Sequence, residues 1–188
     1  MERLWTDFVN SYWRDWRGSG HSEDRLEKSE WQQRWLERWE LHAPVPASVS
    51  EVDNMRGFRE QLQRTAHRLA DGGLLNEEDR EWLNLILAKG SVYRRLDLDR
   101  SQEEQQKIQL KLIAMEPSWQ QVMAEVAADF IQTIVEGEGS RIRFCDNPDC
   151  LWVFYDDTRS RTKKYCDDKM CGNLMKVRRF RERQKKQT

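Results

Sequence analysis

Apolar residues recur every three or four positions through most of the first 140 residues of this chain, and the repeat gives way to strict alternation in one internal stretch. Leu4, Trp5, Phe8, Val9, Tyr12, Trp13 and Trp16 predict a first helix, which Gly18 and Gly20 end. Ser29 and Gln32 have capping-box spacing and open a second helix to about Leu41, with Pro44 and Pro46 beyond it. Ser48 and Glu51 cap a third, apolar at Val52, Met55, Leu62, Ala66 and Leu69 before Gly72-Gly73. Asn76 starts a fourth, which carries Trp82, Leu83, Leu85, Ile86 and Leu87 to Gly90. Val92 to Leu98 and Ile108 to Leu112 then alternate with polar residues and predict a β-hairpin. Ser118 and Gln121 open a fifth helix with Trp119, Val122, Met123, Val126, Phe130, Ile131 and Ile134 on one face, and Gly137 and Gly139 close it. The pattern predicts an α+β fold that is mostly helical: a helical N-terminal domain with a small hairpin over residues 1–139, and a separate module over 140–188.

Charge divides the chain at the same place. Residues 141–188 carry fourteen Lys/Arg against seven Asp/Glu, whereas residues 1–140 carry eighteen against twenty-six, so a net charge of −1 hides a basic tail on an acidic body. The tail is the part suited to polyanions. Nine tryptophans are present, five of them within the first thirty-five residues. Trp31, Trp35 and Trp39 stack along one helical stripe, which is expected to be core rather than a ligand box, with any exposed remainder available to a dimer interface. The stretch from Met1 to Trp16 lacks the features of a signal peptide, and no apolar run approaches membrane-spanning length, so a cytoplasmic protein without membrane contact is expected.

The basic tail also holds the only four cysteines. Cys145/Cys150 and Cys166/Cys171 form two C-x4-C pairs with none left over, which is the arithmetic of one tetrahedral, structural, four-thiolate Zn²⁺. Two disulfides are the rival and would suit a secreted chain, which nothing else here resembles. Catalytic zinc is disfavoured because four thiolates leave no position for water. Asp146-Asn147-Pro148-Asp149 is turn chemistry for a knuckle, Trp152, Phe154 and Asp156 alternate as in a strand, and Asn173 is placed to cap a final helix. A treble-clef-like finger results, a hairpin plus C-terminal helix, expected to need the metal to fold.

On that helix Leu174, Val177 and Phe180 fall in one arc, and Lys176, Arg179, Arg183 and Lys186 fall opposite, with Arg178 and Lys185 on the flanks. After Asp168 the sole acid is Glu182, and such segregation suits a face that tracks phosphates.

Cys145, Cys150, Trp152, Phe154, Asp156, Thr158, Tyr165, Cys166 and Cys171-Gly172-Asn173 resemble, in order and spacing, the zinc end of the CGNR zinc-finger family, bacterial stress-linked transcription regulators. Asp7-Phe8-Val9-Asn10-Ser11, Trp35-Leu36 and Met55-Arg56 to Leu62 are similar to that family's N-terminal ABATE domain. The resemblance implies a zinc-dependent finger that binds double-stranded DNA, joined to a regulatory domain of unknown input. The chain departs from the family pattern at Leu174, where the namesake Arg stands, and at Tyr165, where Trp is usual. With that Arg missing, Lys176 or Arg178 must supply its contact. Asp7 and Asn10 face either a ligand or each other's helix end, the structural role being favoured.

A transcription regulator that dimerises to gain affinity is therefore expected. The alternative is a zinc-clamped protein-interaction or RNA-binding module whose basic helix meets an acidic partner, its own body included. No enzyme is expected, since His21, His42 and His67 are scattered and no nucleophile stands at a recognisable distance from a base.

Overall fold

The computed structural model describes residues 3–99 and 107–187, so the connector of the predicted hairpin, residues 100–106, lies outside the described residues. Helix α1, Leu4–Val9, is short and buries Trp5 and Phe8 completely. Its N-terminus is capped from a distance: the Trp5 amide donates to Asp129 Oδ2 at 3.0 Å and the Trp5 indole to Thr133 Oγ1 at 3.1 Å, which ties it to α5 (Trp119–Glu136). The predicted helix does not continue to Trp16. Tyr12–Arg14 is a strand, β1, paired antiparallel with β2, Ser22–Asp24. The helical spacing is overridden by a tertiary contact, because Ser11 is drawn into the core, 1% exposed, where its hydroxyl accepts from Arg59 at 3.0 Å.

Helix α2 spans Ser29–Arg38, ending before the expected Leu41, and Ser29 is its first turn rather than its cap. Gln32 does not return to the helix start. It is fully buried and bridges two loops, donating to the Leu26 carbonyl at 2.7 Å and accepting from the Ala47 amide at 2.9 Å. The other caps form as read: Ser48 and Glu51 make a reciprocal box on α3 (Val49–Ala70), Asn76 caps α4 (Glu77–Leu87), and Ser118 caps α5. Helices α1 to α5 all contribute to one core, in which Trp5 meets Phe130 edge-on and Phe8 packs on Trp35 of α2 and on Phe58. Of the tryptophan stripe, Trp35 is buried and Trp31 and Trp39 lie at the margin of the core.

Strands β3 (Val92–Asp99) and β4 (Lys107–Ala114) form the predicted hairpin, with Leu96 opposite Leu110 and Leu98 opposite Ile108. A third hairpin follows α5: β5, Ile142–Phe144, pairs with β6, Val153–Tyr155. Its inner residues Ile142 and Val153 are sealed into the same core as the helices. The chain ends in α6, Asn173–Gln187. No helix is long and apolar enough to cross a membrane among the described residues.

Candidate metal centre and nucleic-acid interface

The β5–β6 hairpin delivers the first two cysteines. Cys145 follows β5, its amide donating to the Trp152 carbonyl at 2.9 Å, and the chain turns back through Asn147, whose carbonyl accepts from the Cys150 amide at 2.9 Å. Leu151 completes the turn at φ +59°. The second pair arrives on the approach to α6, where Asp167 caps a wide turn by accepting from the Met170 amide at 2.7 Å. Asn173 is therefore not the cap predicted for this helix. It already has helical geometry, and its side chain donates back to the Lys169 carbonyl.

These turns bring the four sulfur atoms within 4.8 Å of one another, with Cys150 and Cys166 at 3.6 Å and Cys166 and Cys171 at 3.9 Å. A zinc–sulfur distance of about 2.3 Å implies tetrahedral sulfur–sulfur edges of about 3.8 Å. The cysteines are unbridged. The electrostatics suit a cation. Hydrogen bonds from the Cys150 and Cys166 thiols, then backbone amides of Cys166 and Asn147, draw the Cys145 thiol well below its usual range. The same contacts with Cys145 push Cys150 and Cys166 up, and burial pushes Cys171 up. Four thiols this close cannot all ionise unaided, and a divalent ion at their centre removes that obstacle. The residues fit one Zn²⁺ held by Cys145, Cys150, Cys166 and Cys171, with every ligand position filled.

Asn147, whose place in the sequence marks only a turn, is completely buried beside the cluster. Its amide donates to the Trp16 carbonyl at 2.8 Å and to the Cys171 sulfur at 3.3 Å, so one side chain joins the N-terminal hairpin to the metal centre. Trp16 itself packs on the cysteines. Asn10 makes the second such link: it donates to the Val153 carbonyl and accepts from the Val153 amide, each at 2.9 Å, extending β6 as another strand would. Asp7 accepts from the Trp39 indole at 2.8 Å and lies 3.6 Å from Arg38. Both residues thus have internal structural partners.

The basic residues of α6 divide into two groups. Lys176, Arg179, Arg183 and Lys186 line one shallow concavity together with Glu182. Arg178 does not belong with them and is corrected from a flank contact to an anchor: it pairs with Asp149 at 2.6 Å and donates to the Arg17 carbonyl at 2.8 Å. Its charge is thereby satisfied within the protein, at Asp149 of the Cys145–Cys150 turn, so it braces that turn rather than presenting a free contact for phosphate. Arg179 is partly committed as well, donating to the Tyr165 hydroxyl and lying over its ring. Lys185 is exposed and falls outside the concavity. From Arg179 to Lys186 every residue is exposed, so the second half of α6 projects from the body.

A helical domain fused through its core to a four-cysteine knuckle-and-helix module defines a protein with a structural zinc finger. Residues 2–137 match the ABATE family model, described as "Putative stress-induced transcription regulator", and residues 141–184 match the CGNR zinc-finger model. The chain belongs to the ABATE family and carries its CGNR finger. A search of curated proteins found no match.

Proposed function

We propose that this chain is a zinc-dependent transcription regulator in which the projecting half of α6 binds duplex DNA and the helical body senses a signal or dimerises. The observation that carries this reading is the convergence of Lys176, Arg179, Arg183 and Lys186 on one surface of a helix whose residues from Phe180 to Lys186 are all exposed. A bare helix is narrow enough for the major groove, about 12 Å wide, and its basic face meets the phosphates that border it. Zinc supplies rigidity, since it fixes the turn from which α6 starts, and the Arg178–Asp149 pair fixes the direction in which it leaves. Among the described residues, the ion pair that α6 makes with the rest of the chain uses Arg178, which leaves Arg183 and Lys186 exposed for phosphates.

The test is recovery of sheared genomic DNA by the zinc-loaded full-length protein and by its Arg183→Ala/Lys186→Ala variant. Discrete loci recovered by the first and absent with the second support a sequence-selective regulator. Equal recovery by both removes α6 from the interface. If neither protein recovers DNA, the reading passes to the interaction or RNA-binding module.

A further inference from the structure

The β3–β4 ribbon stands apart from the rest of the molecule. Strand alternation and register put Val92, Leu96, Leu98, Ile108, Leu110 and Leu112 on one face, and each is between 40% and 66% exposed. Among the described residues no helix packs substantially on the ribbon. A two-stranded hairpin is marginal in water by itself, and a continuous exposed apolar face invites association. The opposite face is polar beyond Tyr93 and Ile113 at its base, with Lys111 paired to Asp97 at 2.7 Å.

At the ribbon's base lies a surface it could fill on another molecule. Leu112 and Ala114 form one wall of a cavity of about 440 Å³ whose floor includes Leu41, Pro117 and Val122. This opens at Leu41 and Pro117 into a wider cleft of about 880 Å³ that reaches Leu36 and Pro44. Glu37, Glu40 and Glu125 line this run of apolar surface. The ribbon's apolar face carries one charge, Arg94, opposite Leu112. The groove is apolar with acidic residues, and the arm is apolar with a base.

We infer that the ribbon is an exchange arm: in a two-fold dimer each copy of this chain lays its apolar ribbon face into the Leu41–Pro117 groove of the other. Area favours this arrangement over simple pairing of the arms. Eight residues at about 3.3 Å each, by a width of about 12 Å, give a face of about 300 Å². Arm against arm buries only that much per chain, within the range of adventitious contacts, whereas exchange buries an arm and a groove on each chain, at most about 600 Å², which reaches the lower end of the range of specific interfaces, about 600–1,000 Å² per chain. The assembly closes on itself, because the same arm and groove serve both partners. This inference stands apart from DNA binding and fails or succeeds without it.

The experiment is analytical ultracentrifugation of the zinc-loaded full-length protein at micromolar concentration, beside Leu96→Glu/Leu110→Glu, Glu37→Lys/Glu40→Lys and Arg94→Glu. The wild type should sediment as a dimer and the arm variant as a monomer with unchanged circular dichroism and zinc content. Both charge variants should weaken the dimer about tenfold or more, and combining Arg94→Glu with Glu37→Lys/Glu40→Lys should recover part of that affinity. A monomeric wild type, or a dimer that survives the arm variant, overturns the inference. An arm-dependent dimer indifferent to the groove variant overturns the exchange and leaves arm-to-arm pairing.

Discussion

Two polar side chains, one buried and one nearly so, show how much of this structure rests on single residues. Asn147 serves Trp16 and Cys171 at once, and truncation leaves a partly buried carbonyl and a buried sulfur without their donor. Asn147→Ala should cost about 1–3 kcal/mol and speed zinc transfer to a chelator, checked by urea unfolding and a colorimetric zinc assay. Asp24 is gripped by Arg59 through both terminal guanidinium nitrogens, at 2.7 and 2.8 Å, with both side chains nearly buried. Burial by itself raises the Asp24 carboxyl, but the hydrogen bond and charge of Arg59, aided by Arg56, outweigh it and hold the group below its ordinary value. Removing one partner strands the other, so Asp24→Asn should destabilise by about 3–5 kcal/mol. A lowered carboxyl contributes stability that is complete above its unfolded value of about 3.9 and disappears as pH falls through the folded value. The difference between wild type and Asp24→Asn should therefore stay constant between about pH 5 and 8 in urea melts, and a slope in that interval contradicts the assignment.

At the scale of elements, the β1–β2 turn and α6 hold each other. Gly18 sits at φ +90°, and a Cβ there would stand 2.8 Å from Arg178 Nη2 and 2.9 Å from Asp149 Oδ2. Gly18→Ala should cost about 1 kcal/mol or more in backbone strain and part the Arg178–Asp149 pair, visible as faster amide exchange in α6. Long-range bonds of this kind also explain what was legible in the sequence. Helices α3, α4 and α5 and the β3–β4 ribbon could be read because their signals are local: a cap residue three positions from its partner, then a repeat of 3.6 or 2. The four zinc ligands were legible for the same reason, since spacing alone pairs them. What misled was residues held by distant partners. Ser11 breaks the first helix because Arg59 claims it, Gln32 leaves its helix to bridge Leu26 and Ala47, and Arg178 turns inward to Asp149. Each has an ordinary local signal that a partner outside its own element overrides.

For the molecule as a whole, charge and composition suggested a body and an appendage, but the packing joins them. Ile142 and Val153 of the finger hairpin lie in the core of the helical body, and Asn10, Asn147 and Arg178 bond across the junction. Chelating the zinc should therefore lower the melting temperature of the entire chain and loosen β1–β2 together with α6 in hydrogen exchange. A body whose melting is unchanged by chelation would mean that the finger folds and unfolds alone. This linkage gives the helical body a physical route to α6, through the turn at Arg17 and Gly18.

The most direct test of the central claim is the salt dependence of duplex DNA binding by the full-length, zinc-loaded protein and two variants, Arg183→Ala/Lys186→Ala and Arg178→Ala. Deleting one phosphate-neutralising side chain should reduce the slope of log K against log salt by about 0.9, so the first variant, which deletes two, should fall short of wild type by about 1.8 units of slope. Arg178→Ala, which removes an anchor, should lower affinity without a comparable change in slope. A slope unchanged in Arg183→Ala/Lys186→Ala, or reduced mainly in Arg178→Ala, would contradict the assignment of the projecting face of α6 to DNA.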